Sequence, residues 1–260
     1  MTEENGRDTI MREMRAPGCH LLVDTSGEQL LLGLVAEGKL IVSDRRDSLR
    51  QIEAISLEVE SLVSRMNLEV SSISSIGVVV GPGSMAGLRV GVTFSKTLSY
   101  ALGCGIVPLV SHEVIANIYA KALDPVVVLR RVRKQEAFGA ICARGLSGLT
   151  TLSGPVVLGP NQLSTWLGNA NQTGTTFLVV SDRAPSQVLA GDYGGDVVNF
   201  HLPEMRRETC ESMWQLMNAA PDRTKLKSHN DVAISYVRGA DTKVSYQRLN
   251  SIGDLEWVKD

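Results

Sequence analysis

Residues 77–103, GVVVGPGSMAGLRVGVTFSKTLSYALG, constrain the fold more than any other part of the chain. A short apolar run at 78–80 predicts a buried strand. It leads into a turn with glycines at 81, 83 and 87 and a proline at 82. Glycine reaches φ > 0 and lets another group come close to the backbone, while proline fixes one φ of the turn. A helix is predicted to follow over 88–102. The free N–H groups at its start form a ready anion site. Leu88, Val90, Val92, Phe94, Leu98, Tyr100, Ala101 and Leu102 spread apolar character nearly all round it. Such a helix is expected to be buried between a sheet and a second surface.

The flanking segments extend this unit. Residues 20–24, 30–36 and 39–43 read as three strands of a meander. The first ends in Asp24-Thr25-Ser26-Gly27. A helix is predicted over 47–66, with Ile52, Ile55, Val59, Leu62 and Met66 recurring as an amphipathic stripe. Asn67 is placed to end that helix in a left-handed cap. Residues 71–75 read as a polar linker. Residues 105–110 form a further apolar strand, and Ser111 caps a helix running to about residue 123. The order β-β-β-α-β-α-β-α is the ribonuclease-H-like pattern, the building block of the actin–hexokinase–Hsp70 superfamily. The second half is expected to hold strands at 124–132, 136–143, 155–158, 177–180 and 196–200, and helices at 160–167, 184–190 and 204–217. The organisation so implied is a flexible extension over 1–18, an N-terminal lobe over 19–108, a C-terminal lobe over 109–246 and a tail over 247–260.

Composition excludes several classes of function. A chain of 260 residues holds one large domain or two lobes of about 100 residues each. A net charge of −2 gives no global drive toward nucleic acid or an anionic membrane. An aromatic content of 5% argues against a base-stacking surface. No apolar run is long enough to span a bilayer. Residues 1–18 are polar and charged, with no apolar core of a secretory signal. Cys19, Cys104, Cys142 and Cys210 are far apart and form no CxxC pair, so reduced thiols in a cytoplasmic protein are expected. His20, His112, His201 and His229 show no metal-ligand spacing, and no metal site is predicted. GPGS lacks the GxSxG pattern, and the sequence places no base beside Ser84, which argues against a hydrolase.

The motifs VDTS at 23–26, GPGSMAGLRVGVTFSK at 81–96 and IVPLVS at 106–111 resemble the TsaB (YeaZ) family. That family is the non-catalytic subunit of the bacterial machinery that makes threonylcarbamoyladenosine (t6A) in tRNA. Its usual loop reads GPGSFTGLR. Gly81, Pro82, Gly83, Ser84, Gly87, Leu88 and Arg89 match it, and Met85 and Ala86 depart. Residues 136–142 and 233–238 are similar to later family segments, so the likeness is strong in the first lobe and loose in the second. Family members start within a few residues of the first strand, which makes Met14 a credible start. The resemblance implies a two-lobed α/β scaffold that binds a TsaD-type catalytic subunit, with a TsaE-type ATPase joining it, tRNA contacted only indirectly and no membrane. The catalytic paralogue carries a pair of histidines on its first long helix. The matching helix here has none.

Two sets of candidate site residues result. Asp24, Gly81, Gly83, Ser84 and Gly87 form a candidate nucleotide-contacting loop. Two readings of the loop stand: a weak ATP or ADP contact, or glycines that allow close packing of strand, turn and helix. No Walker lysine follows the loop, and no cofactor is required. Asp24 reads either as a phosphate-site acid or as an Asx-turn cap. Ile52, Ile55, Val59, Leu62, Met66, Val90, Phe94 and Leu98 form a candidate partner face, which in the family packs against the equivalent helix pair of a partner. The same stripe also reads as core. The basic run Arg130, Arg131, Arg133, Lys134 reads as a solvated strand end or a tRNA contact. Alternative functions are a nucleotide-dependent small-molecule kinase of the same fold and a self-associating homodimeric regulator.

Overall fold

The computed structural model describes residues 18–45, 51–120, 125–133, 136–146, 148–159, 162–170, 178–181, 197–199, 205–219, 227–237, 246–249 and 255–258. The extension over 1–17 and the helix expected at 184–190 lie outside the described residues.

The first sheet takes its strands from the first half of the chain. They are β1 (Cys19–Asp24), β2 (Leu30–Ala36), β3 (Lys39–Arg45), β4 (Ile73–Gly81) and β5 (Gly105–Val110). Their spatial order is β3-β2-β1-β4-β5, antiparallel across β3, β2 and β1 and parallel across β1, β4 and β5. Two helices make the crossovers, α1 (Gln51–Arg65) and α2 (Met85–Leu102). Alternation along the strands divides the side chains between two faces. Leu21, Val23, Leu32, Leu34, Ile76 and Val78 pack with Ile55, Val59, Leu62 and Val92 of the two helices. Leu22, Leu31, Val35, Val79 and Val107 face the other way.

That second face is closed from far along the chain. Helix α5 (Arg206–Asn218) brings Cys210, Met213 and Trp214 against it. Gly33 makes room for Cys210, and Gly77 for Met217.

The second sheet repeats the first. Its strands are β6 (Val126–Arg133), β7 (Glu136–Gly145), β8 (Gly148–Leu158), β9 (Leu178–Ser181) and β10 (Val197–Asn199). Their order is β10-β9-β6-β7-β8, with β6, β7 and β8 antiparallel and β6, β9 and β10 parallel. Counted from its own first strand, each sheet has the order 3-2-1-4-5. Two ribonuclease-H-like lobes are the fold class expected from the sequence. Helix α3 (Ser111–Tyr119) covers one face of this sheet, meeting Val126, Val128, Cys142 and Val180. Helix α4 (Leu163–Ala170) covers the other through Leu163 and Leu167. Between the sheets α3 and α5 pack on one another. Asn117 donates to Ser212 Oγ (3.1 Å) and Gln215 Oε1 (2.8 Å), and Ser212 donates to the Val114 carbonyl (2.6 Å).

Several local expectations shift. Helix α2 begins at Met85 rather than at 88, because Ser84 caps it by accepting from the Gly87 N–H at 3.3 Å. Gly103, at φ 64°, ends it. Asn67 does adopt the left-handed conformation, at φ 54°. The linker expected at 71–75 is a short 3-10 turn, Val70–Ser72, followed directly by β4. Residues 247–260, expected as a tail, contain the antiparallel pair β11 (Tyr246–Leu249) and β12 (Leu255–Val258).

The face of α2 toward the sheet is built of small residues. Gly87, Gly91, Ser95 and Ser99 recur every four positions and are buried. A methyl group at Gly87 would overlap the Thr25 carbonyl oxygen, and one at Gly91 the Thr25 hydroxyl. Gly87→Ala is therefore expected to lower stability by about 1–3 kcal/mol, because a backbone atom cannot swing aside. Gly145→Ala, where nothing lies within 4 Å, is expected to change stability by less than about 0.5 kcal/mol. Urea unfolding of the two variants beside wild type checks both.

Candidate functional site

The glycine loop sits where the first sheet meets the second. Asp24 ends β1, and its Oδ1 accepts the Ser26 N–H at 2.8 Å. That contact is an Asx turn. The turn orients the Ser26 carbonyl, which accepts the Ser84 N–H at 2.7 Å. The glycines of the loop meet this chain's own backbone. A Cβ at Gly83 would strike the Ser26 carbonyl, and one at Gly87 the Thr25 carbonyl. Gly81, at φ 128°, lies against Ser235, whose N–H donates to the Val80 carbonyl at 2.8 Å. Lys96 donates to the Val232 carbonyl at 3.0 Å and so holds the same late segment across the helix. The structure thus brings Asp24, Gly81, Gly83, Ser84 and Gly87 together, and two of the loop's donors, Ser84 N–H and Gly87 N–H, are used within the protein. Ser84 is exposed, and its hydroxyl serves as the helix cap.

Side chains that the loop pattern does not mark complete the seam. Ser111 Oγ donates to the Pro82 carbonyl at 2.6 Å. Arg130 Nη1 donates to Ser26 Oγ at 2.9 Å and to the Pro82 carbonyl at 3.4 Å. The basic run is therefore not a uniform solvated strand end. Arg130 is 6% exposed, while Arg131 beside it is exposed. Period-two alternation carries the signal: Val126 and Val128 face α3, and Arg130 is next in that series. His112 was one lone histidine among four, and no sequence signal singled it out. Thr151 donates its hydroxyl proton to Glu113 at 2.8 Å, so His112 Nε2–H donates to Thr151 Oγ1 at 3.2 Å. Burial first, and the Arg130 charge second, lower the His112 pKa from 6.5 to about 4. Among the described residues no group of three or more His, Cys, Asp or Glu is placed to hold a metal ion.

The candidate partner face divides. Ile55, Val59 and Leu62 lie in the core of the first sheet at 3% exposure or less. Met66, Phe94 and Leu98 pack half-buried at its margin, and Val90 is also half-buried. Ile52 stands out at 74% exposure. The buried stripe of α1 runs through Gln51, Ala54, Ile55, Val59, Leu62 and Val63, so the helix is rotated from the orientation that Ile52 and Met66 implied. Met85 and Tyr100 are also exposed on α2, and Tyr100 stands edge-on to His229 with ring centroids 5.1 Å apart. Among the described residues no helix is long and apolar enough to cross a membrane.

The folded His112 pKa lies below the unfolded value, so the unfolded chain binds more protons between about pH 4 and 6.5. Its contribution to stability is complete above about pH 6.5 and is lost as the pH falls toward 4. Urea unfolding across that range is expected to show this loss in wild type and a flatter profile in His112→Gln.

Comparison with known proteins agrees with this architecture. The family described as "TsaD: tRNA N6-adenosine threonylcarbamoyltransferase" matches residues 48–164. The tRNA threonylcarbamoyladenosine biosynthesis protein TsaB of Bacillus subtilis (strain 168) is 34% identical over 101 residues, 37% of this chain and 42% of that protein. A tRNA N6-adenosine threonylcarbamoyltransferase of Staphylococcus haemolyticus is 29% identical over 77 residues, 30% of this chain and 22% of that protein. The matches thus span less than half the length of these relatives. YeaZ from Pseudomonas aeruginosa superposes with a TM-score of 0.68 at 14% identity, over 84% of this chain and 99% of that one. A second Pseudomonas aeruginosa structure, described as an uncharacterized protein with similarity to peptidase YEAZ, gives 0.65 at 15% identity, over 85% of this chain and 100% of that one. At such identities the two structures speak to the fold, which they share through both lobes. This chain is thus similar in sequence to TsaB over 37% of its length and shares a two-lobed fold with YeaZ.

Proposed function

We propose that this chain is a non-catalytic scaffold subunit that binds a TsaD-type catalytic protein, which transfers threonylcarbamoyl to A37 of tRNA to form t6A. The observation that carries the reading is the outer surface of the α1–α2 pair. Val90, Phe94 and Leu98 form a stripe at four-residue spacing that the fold covers only in part, and Ile52 of α1 stands exposed. Apolar area of that kind is costly to leave in water and marks a contact surface. A stable interface buries about 800 Å² on each side. The likeness to TsaB and to the TsaD family over residues 48–164 supports a TsaD-type partner, because related lobes present related helix pairs. In the absence of that partner the same face serves a homodimer. A TsaE-type ATPase joins the assembled pair, and the catalytic partner carries the tRNA contact. The glycine loop, whose close contacts are to Ser26, Thr25 and Ser235, acts here as a packing device.

Val59 is core, so a charge there tests folding rather than binding. The informative substitutions are Ile52→Glu and Phe94→Glu, with Leu152→Glu on exposed β8 as the control. Ile52→Glu and Leu152→Glu are expected to keep wild-type stability within about 0.5 kcal/mol. Co-purification with the TsaD-type protein of the same genome is expected for wild type and Leu152→Glu. It is expected to be weakened at least about tenfold by Ile52→Glu or Phe94→Glu, since either leaves a charge desolvated in the contact. A wild-type chain that forms no complex, or folded variants that bind as wild type does, would contradict the reading.

A further inference from the structure

Each of the two five-stranded sheets has two outer edges, where free N–H and C=O groups template a further strand unless something blunts them. Three of the four edges are blunted. Along β3, Arg206 of α5 pairs with Asp44 at 2.6 Å, and Arg207 Nη1 donates to the Leu40 carbonyl at 3.4 Å. Along β5, Ile106 exchanges both backbone bonds with Lys227, at 3.0 and 2.7 Å, and Pro108 has no N–H to offer. Strand β10 is only three residues long.

The fourth edge is β8, which ends the order β10-β9-β6-β7-β8. Its eleven residues, GLTTLSGPVVL, carry no charge. Its register against β7 shifts on both sides of Ser153, so the regular stretch is the four residues Gly148–Thr151. Exposed Leu146 and Leu152 flank that stretch. Among the described residues no strand and no other backbone group pairs with its outer side.

A second unpaired element belongs to the same chain. Strands β11 and β12 are four residues each and pair only with one another. A lone two-stranded ladder is marginal in water and needs a third strand or a packing surface. The chain leads this hairpin toward β8. Val237, the last described residue before it, follows Ser235, whose N–H is bonded to Val80. Two residues on from Val80, Pro82 is bonded by Ser111, and the adjacent His112 is bonded to Thr151 in β8. The nine residues from Val237 to Tyr246 extend to about 30 Å, which spans that short route.

We propose that the C-terminal hairpin adds one of its strands to Gly148–Thr151 of its own chain, extending the second sheet beyond β8. The lengths match, four residues against four. The recognition is main chain to main chain, N–H to C=O, and an uncharged edge repels no charge on the incoming strand. A tether within one chain sets an effective concentration of about millimolar, which favours this pairing over the same edge of a second copy. The hairpin thereby shields β8 from pairing between copies.

The test is residue-resolved amide exchange by NMR on the full chain, at two protein concentrations about tenfold apart. Wild type is compared with a full-length variant carrying Arg248→Pro and Trp257→Pro, since proline removes a ladder donor from each hairpin strand. The amides of 148–151 turned away from β7 are expected to exchange at least about tenfold faster in the variant, and those facing β7 to keep their wild-type rates. Wild-type protection is expected to be the same at both concentrations, with nuclear Overhauser contacts between 148–151 and one hairpin strand. Free exchange of the outward amides in wild type overturns the proposal, whether or not the variant folds. So does protection that survives in the folded variant, or protection that rises with concentration.

Discussion

Thr25 lies directly beneath Gly87 and Gly91, with no room for even a methyl group between them. That contact seats the start of α2 on the turn between β1 and β2, and much else depends on it. The seating requires the Asp24 Asx turn to aim the Ser26 carbonyl at Ser84. It requires Ser84 to cap the helix from outside. It leaves Val90, Phe94 and Leu98 half-covered, because the helix approaches the sheet through Gly87, Gly91, Ser95 and Ser99 instead. A helix that met the sheet through large side chains would stand farther off and bury a different stripe. The small-residue face therefore holds the lobe together and also turns apolar surface outward.

The two sheets share one strand order, and their helices are distributed so that neither lobe is complete alone. Helix α5 follows the second sheet in the chain but supplies Trp214, fully buried Met213 and Cys210 to the first. Helix α3 follows the first sheet and covers the second. The α3–α5 contact, with Asn117 bonded to Ser212 and Gln215, joins them. Arg130 adds a further buried link, from β6 to Ser26 and Pro82. Burial of Cys19, Cys142 and Cys210 raises their thiol pKa, Cys19 to about 11 and Cys142 to about 12, and leaves them as protonated core side chains.

The strands of the first sheet were legible where alternation and apolar runs are local signals, as in β1 and β2; β4 was legible only over 78–80, because Ser74 and Ser75 made its start read as linker. The loop was legible because its glycines sit at a strand–helix junction, although whether they met phosphate or backbone could not be read from spacing. The orientation of α1 was not legible in full: Ala54, Val63 and even Gln51 compete with Ile52 for the core, and hydrophobicity alone favoured Ile52. Closure of the first sheet by α5 was hidden by the sequence distance between Trp214 and Leu22. His112 was hidden for a different reason. Its environment is built by Thr151, Glu113 and Arg130 from three separate elements, and no spacing within the chain announces them.

The likeness to TsaB and the two-lobed fold rest on sequence and architecture, and the function proposed for this chain rests on the surface that α1 and α2 leave uncovered. Hydrogen–deuterium exchange of the full chain, alone and with a stoichiometric TsaD-type protein, tests that claim most directly. The account predicts slower exchange within 51–65 and 85–102 on mixing, with the strands of the second sheet unchanged. Protection confined to the second sheet, or no protection anywhere, would contradict it.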